Sequence, residues 1–263
     1  MGQAIKTVGI AALIAMGAAA LPAAANADLV QNGDFASLYG SVATPNQFIG
    51  YGYSELTDWF YGSAPYPNAA VFTYAGANSF PGAPQGKFGA FGYNYPLFGP
   101  GTGYNNGFVA PPGGGNFLAS DGEAAFQNPI SQTITGLIAG RNYVLSFTWA
   151  GNQFLDASSE FYNLPLTVDW QVSLGSEVFT TPVADYASHG FTGWMTTTFT
   201  YTATSSSEVL SFLAQGTPDG LPPTALLDGV SLVPEPASWS MLILGIAGLG
   251  AVVRKRRRLA AAA

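Results

Sequence analysis

From residue 143 onward the chain alternates. Tyr143, Leu145, Phe147 and Trp149 are large and apolar, and Val144, Ser146, Thr148 and Ala150 stand between them. The same rhythm returns in Leu166, Val168, Trp170, Val172 and Leu174, interleaved with Thr167, Asp169, Gln171 and Ser173. A period of two predicts antiparallel strands with one face in a core and one in water. It places Trp149 and Trp170 in the core and Asp169 on the solvent face. Residues 196–201, 209–213 and 226–233 read as further strands, rich in β-branched and aromatic side chains. Turn signals separate them: Asn32-Gly33, Gly136 to Gly140, and Leu174-Gly175-Ser176. No segment between 28 and 233 has an apolar period of 3.6. The expected fold is all-β, an antiparallel two-sheet β-sandwich.

Residues 61–118 break the rhythm. They hold thirteen aromatics, thirteen glycines, eight prolines and six asparagines, with Lys87 as the single charge. The prolines exclude a long central strand through most of this stretch, and its aromatic content is too high for a disordered linker. We read it as an insertion of loops and short strands covering one side of the sandwich. Its rings serve either as a satellite core under the loops or as flat faces for sugar rings, with asparagine amides for the hydroxyls. Burial is the usual fate of aromatics. Trp59, Tyr61, Tyr93 and Tyr95 are the candidates for sugar contact.

Both ends differ from this body. Lys6 precedes an apolar run from Thr7 to Ala20, Leu21-Pro22 breaks it, and Ala25 and Ala27 supply the small residues of a cleavage site. This is the layout of a secretory signal peptide, 1–27, cut by signal peptidase so that the mature chain begins at Asp28. At the other end, residues 237–253 carry no charge. As a helix they span ~25 Å, enough for a thin hydrocarbon core. Trp239 sits at one edge, where indoles favour the interface, and Arg254, Lys255, Arg256, Arg257 and Arg258 form a cytoplasmic stop at the other. That orientation puts 28–233 outside, as the signal peptide does independently. Residues 259–263 are a short tail.

Pro234-Glu235-Pro236, Trp239, the glycine-bearing apolar run and the terminal basic cluster resemble the PEP-CTERM sorting signal, in its PEPxxW variety. The resemblance covers 234–258 and implies sorting by an exosortase of the inner membrane in a Gram-negative bacterium, in company with exopolysaccharide. It implies a transient membrane anchor, then the cell surface or the medium. A second resemblance is scattered over 28–233. Asn32-Gly33-Asp34-Phe35, Ile130 to Ile134, and Leu227-Asp228-Gly229-Val230 are similar to the galactose-binding-like jelly roll of carbohydrate-binding modules. That family holds a structural calcium between its terminal strands, which implies Asp34 and Asp228 as ligands here. Ala36 and Gly229 stand where the family has further acids, and calcium wants six to eight oxygens.

Charge and composition narrow the chemistry. Between 28 and 233 there are fourteen acids against Lys87 and Arg141, a net charge of −12. Such a surface repels phosphate backbones and excludes nucleic acid as a partner. There is no cysteine, so disulfides and thiol catalysis are out. His189 is the only histidine, and no Gly-x-Ser-x-Gly elbow surrounds any serine. Glu123, Asp156, Glu160 and Asp169 could supply two carboxylates for glycoside cleavage, a pairing the sequence does not fix. The expectation is a non-catalytic exported surface or matrix protein that binds a neutral glycan and needs no cofactor. The alternatives are a glycan-active hydrolase on the same fold and a structural protein that associates with itself.

Overall fold

A computed structural model describes residues 27–40, 45–49, 54–62, 69–78, 96–155, 163–221 and 223–235. Its strands come in two runs. The first is β1 (Leu38–Gly40), β2 (Gln47–Phe48), β3 (Ser54–Leu56), β4 (Phe60–Tyr61), β5 (Ala69–Thr73), β6 (Asn116–Asp121) and β7 (Ile130–Thr135). The second is β8 (Asn142–Gln153), β9 (Leu166–Leu174), β10 (Glu177–Thr180), β11 (Ala184–Tyr186), β12 (Met195–Thr202), β13 (Ser207–Thr217) and β14 (Pro223–Pro234). One sheet runs β10-β9-β13-β7-β4, with β11 also on β9; the other runs β12-β8-β14-β6-β5-β2. Every pairing is antiparallel, and β1 and β3 form a separate ribbon. The chain is a two-sheet antiparallel β-sandwich. The expected signal and transmembrane helices, and the expected cleavage residue Ala25, lie outside the described residues.

The alternation dictates the core. Tyr143, Leu145, Phe147 and Trp149 of β8 face Leu166, Val168, Trp170, Val172 and Leu174 of β9 across one buried layer. Phe212 sits at its centre, edge-on to Phe147 at 5.1 Å and to Trp170 at 5.9 Å. Asp169 corrects the sequence expectation. It does point away from this layer, yet it is 8% exposed, and burial raises its carboxyl above the usual range.

A second buried layer lies on the far side of the β8/β14/β6/β5 sheet. Phe72 and Phe117 project outward there, and Phe108, Leu97 and Phe154 cover them. Phe108 meets Phe117 edge-on at 6.2 Å, and Trp194 meets Phe117 at 5.7 Å. Phe72, Phe108 and Phe117 of the 61–118 stretch thus belong to a satellite core, with Tyr74 packed on it. Thr102 pins the loop: its hydroxyl accepts from Gly99 N–H at 2.9 Å and is 5% exposed.

The two ends of the domain meet on β14. Leu29 donates to Leu232 O at 3.0 Å, and Val230 donates to Gly33 O at 2.9 Å. Gly33 must be glycine, because a Cβ there would run into Val230 O. Register on β14 shifts between Asp228 and Ser231, with Gly229 at φ 60°. This bulge switches the inward set from Ala225 and Leu227 to Val230 and Leu232.

Candidate functional site

An open cleft of about 520 Å³ lies between the β1–β3 ribbon and the outer face of the β4/β7/β13 edge. Its walls follow from local chemistry. Asn32 adopts φ 51°, a left-handed value that asparagine tolerates better than most residues. From there its Nδ2 donates to Ser37 O and Thr57 O, each at 2.9 Å, and its Oδ1 accepts from Ser37 N–H at 2.9 Å. One side chain thus closes the ribbon. Gln132, 5% exposed, ties the floor: Gln31 donates to its Oε1 at 2.9 Å, and its Nε2 donates to Gln31 O at 2.8 Å and Asp58 O at 3.1 Å. Those bonds leave Gln132 fully engaged, so it shapes the cleft and does not reach into it.

The exposed lining combines two rings with hydroxyls. Tyr39 is 54% exposed and Phe60 69%. Ser131 lies opposite Phe60 in the pairing of β4 with β7, and Thr133 lies opposite Val209 in the pairing of β13 with β7. Asp58 adds one exposed carboxylate. Two exposed rings beside hydroxyls match in kind the two surfaces a sugar presents, an apolar face and hydroxyl groups.

Of the sequence candidates, Trp59 and Tyr61 are among the described residues. Trp59 lines the cleft wall yet is only 5% exposed. Its indole packs against Phe35 at 5.7 Å and Phe212 at 6.2 Å, and its Nε1 donates to Asn32 O at 3.0 Å. Its ring faces are core surfaces, not a free platform. Tyr61 pairs with Ile130 and packs against the core. In a strand, neighbours point to opposite faces, so between Trp59 and Tyr61 it is Phe60 that projects outward. Tyr39 and Phe60 are the exposed rings of the cleft. Tyr93 and Tyr95 lie outside the described residues.

Asp34 and Asp228 are brought near one another at the bulge. Asp34 is exposed, with Oδ1 accepting from Ala36 N–H at 3.3 Å. Asp228 is 4% exposed, and its Oδ1 accepts from Gly229 N–H at 2.7 Å. Burial pushes the Asp228 carboxyl up to about 6; the Gly229 N–H opposes this and the Asp34 charge adds to it. Two carboxylates supply a small part of the oxygens calcium requires. No group of three or more His, Cys, Asp or Glu that could hold a metal occurs among the described residues, so the pair alone does not fit the ion.

The described candidates for catalysis are His189, Glu123 and Asp169. His189 sits at φ 62° with its ring stacked on Phe98 at 4.3 Å and beside Tyr104 at 5.0 Å. Glu123 is buried at 7% exposure. Asp156 and Glu160 lie outside the described residues.

The last described residues, Pro234 and Glu235, are the first two of the expected sorting signal. Pro234 is buried and still in register with Tyr143, at the end of β14. Glu235 donates its N–H to Asn142 O at 3.0 Å and accepts from Asn142 Nδ2 at 3.0 Å. Residues 232–258 match the model of the PEP-CTERM protein-sorting motif. The chain ends in a PEP-CTERM motif. Proteins with a PEP-CTERM motif are exported and sorted to the cell surface, and the motif implies processing by an exosortase. Pro236, Trp239 and the Arg254–Arg258 cluster of the motif lie outside the described residues, and among the described residues no helix is long and apolar enough to cross a membrane.

No curated protein matches the chain in sequence. Among solved structures, the chain is similar to TmCBM61 in complex with β-1,4-galactotriose (12% identity, 80% of this chain and 99% of that one, TM-score 0.41). It is also similar to the CBM22-1 xylan-binding domain of Xyn10C from Paenibacillus barcinonensis (11%, 67% and 85%, TM-score 0.32). A third is the enzymatically active domain of tailspike protein 4 from bacteriophage CBA120 (11%, 79% and 21%, TM-score 0.38).

Proposed function

We propose that this protein is an exported, exosortase-sorted surface or matrix component whose sandwich binds a neutral glycan in the Tyr39/Phe60 cleft. The observation that carries the glycan reading is the pair of exposed rings beside Ser131, Thr133 and Asp58. Stacking on an aromatic face and hydrogen bonds to hydroxyls are the two contacts neutral sugars make best. The strongly acidic domain disfavours polyanionic chains, which leaves neutral exopolysaccharide as the fitting class. Sorting follows from the motif: the signal peptide exports the chain, the helix after Pro236 holds it in the inner membrane, and the basic cluster stays cytoplasmic. The domain boundaries are 1–27, 28–233 and 234–258.

The test is calorimetric titration of the mature protein with neutral oligosaccharides prepared from the host exopolysaccharide. Phe60→Ala and Tyr39→Ala should each weaken binding about tenfold while leaving the thermal midpoint within a degree or two, since both rings are solvent-exposed. Binding that is unchanged in both variants removes the cleft from the account. Turnover of the oligosaccharides, lost in Asp169→Asn or Glu160→Gln, would favour the hydrolase instead.

A further inference from the structure

The sorting motif is not a free tail at its start. Pro234 completes β14 opposite Tyr143, and Glu235 lies against Asn142, the first residue of β8. Two bonds hold it: Glu235 N–H to Asn142 O and Asn142 Nδ2–H to a Glu235 carboxylate oxygen, each 3.0 Å. Asn142 is itself fixed, because Thr202 Oγ1 donates to its Oδ1 at 2.9 Å. That bond orients the amide so that its NH₂ faces Glu235. The turn beneath is rigid: Arg141 donates to Ile138 O at 3.0 Å, and Gly140 donates to Ala203 O at 2.7 Å.

We propose that the folded domain docks and shields the first two residues of its own sorting motif, with Asn142 as the positioning residue, and that processing draws on the released form. On this proposal the reader of the motif contacts the Glu235 carboxylate and backbone, both of which Asn142 engages in the folded chain. An enzyme that binds only the free form sees an affinity lowered by the fraction that is free. The contact lies at the surface, so it is a light latch: losing one such hydrogen bond makes release about three- to tenfold more frequent. The proposal rests on the exosortase reading, and the experiment separates the two.

Pulse-chase labelling of the full chain in cells with exosortase follows conversion to the processed form. Asn142→Ala removes the side-chain bond, and Asn142→Asp sets a carboxylate against a carboxylate; the second variant keeps the proposal testable if the first fails to fold. Both should be processed about three- to tenfold faster than the parent chain. Hydrogen exchange on the detergent-solubilised full chain should show the Glu235 amide opening faster while Leu226, in the middle of β14, stays protected. Equal or slower processing, or unchanged exchange at Glu235, overturns the latch. Replacing Pro234-Glu235-Pro236 is the control: processing that survives it overturns the exosortase reading, whereas processing that stops there but ignores Asn142 overturns only the latch.

Discussion

Asp228→Asn should stabilise the domain at neutral pH and leave it unchanged in acid. The Asp228 carboxyl is raised from 3.8 to about 6, first by burial, against the Gly229 N–H, and with help from the Asp34 charge. A group whose folded value lies above its unfolded value binds its proton more tightly in the folded state. Its favourable contribution is therefore complete below about pH 4 and is lost as pH rises through about 6. About two pH units correspond to ~3 kcal/mol at most. The Asp34 part of the raise comes from an exposed, solvent-screened charge, so about 1–2 kcal/mol is the working figure. Asparagine keeps an oxygen for the Gly229 N–H and carries no charge. The difference between variant and parent should be near zero at pH 4 and about 1–2 kcal/mol at pH 7.5, roughly 2–8 °C in Tm for a domain of this size. Urea unfolding of both proteins at pH 4, 5, 6 and 7.5 measures it. Asp34→Asn should give the same trend, smaller. A variant that is no more stable at pH 7.5, or whose advantage does not vary with pH, refutes the reasoning.

Gly175→Ala should cost about 1–3 kcal/mol in unfolding experiments. Gly175 turns β9 into β10 at φ 58°, and an added Cβ would stand 2.8 Å from Tyr201 Oη and against the Glu208 carboxylate. Millimolar calcium should move the Tm of the mature protein by less than about 1 °C, because two carboxylates do not complete a cage; a shift of several degrees, abolished in Asp34→Asn, would establish the site. Replacing Pro234-Glu235-Pro236 should leave full-length protein in the inner membrane, and fractionation showing normal release would remove the motif from the sorting account.

The fold was legible where one face alone is apolar. The alternations in β8 and β9 named the core residues individually, and Trp149 and Trp170 lie where the period puts them. Asp169 shows what period cannot see: it tells which side a residue faces, not what covers that side. The insertion was legible only in kind, since ring count implied burial but no periodicity revealed β5 or placed Phe72 on its outer face. The cleft was the hardest feature to read. Its walls depend on Asn32 and Gln132, whose bonds reach 25 and 101 residues along the chain. A strand of two residues, β4, has no alternation to fix its phase, so the sequence does not tell that Phe60 faces out between Trp59 and Tyr61. The bulge in β14 likewise changes phase within a run that reads as one strand.

Electrophoresis of the mature protein through gels cast with and without the host's neutral exopolysaccharide bears on the main conclusion most directly. Three proteins run side by side: the parent, Phe60→Ala, and Phe126→Ala, which removes a ring that is also exposed but lies outside the cleft. Parent and Phe126→Ala should be retarded by the polysaccharide, and Phe60→Ala should be retarded markedly less. Equal migration of all three in both gels, or retardation that follows Phe126 and ignores Phe60, would contradict glycan binding at this cleft.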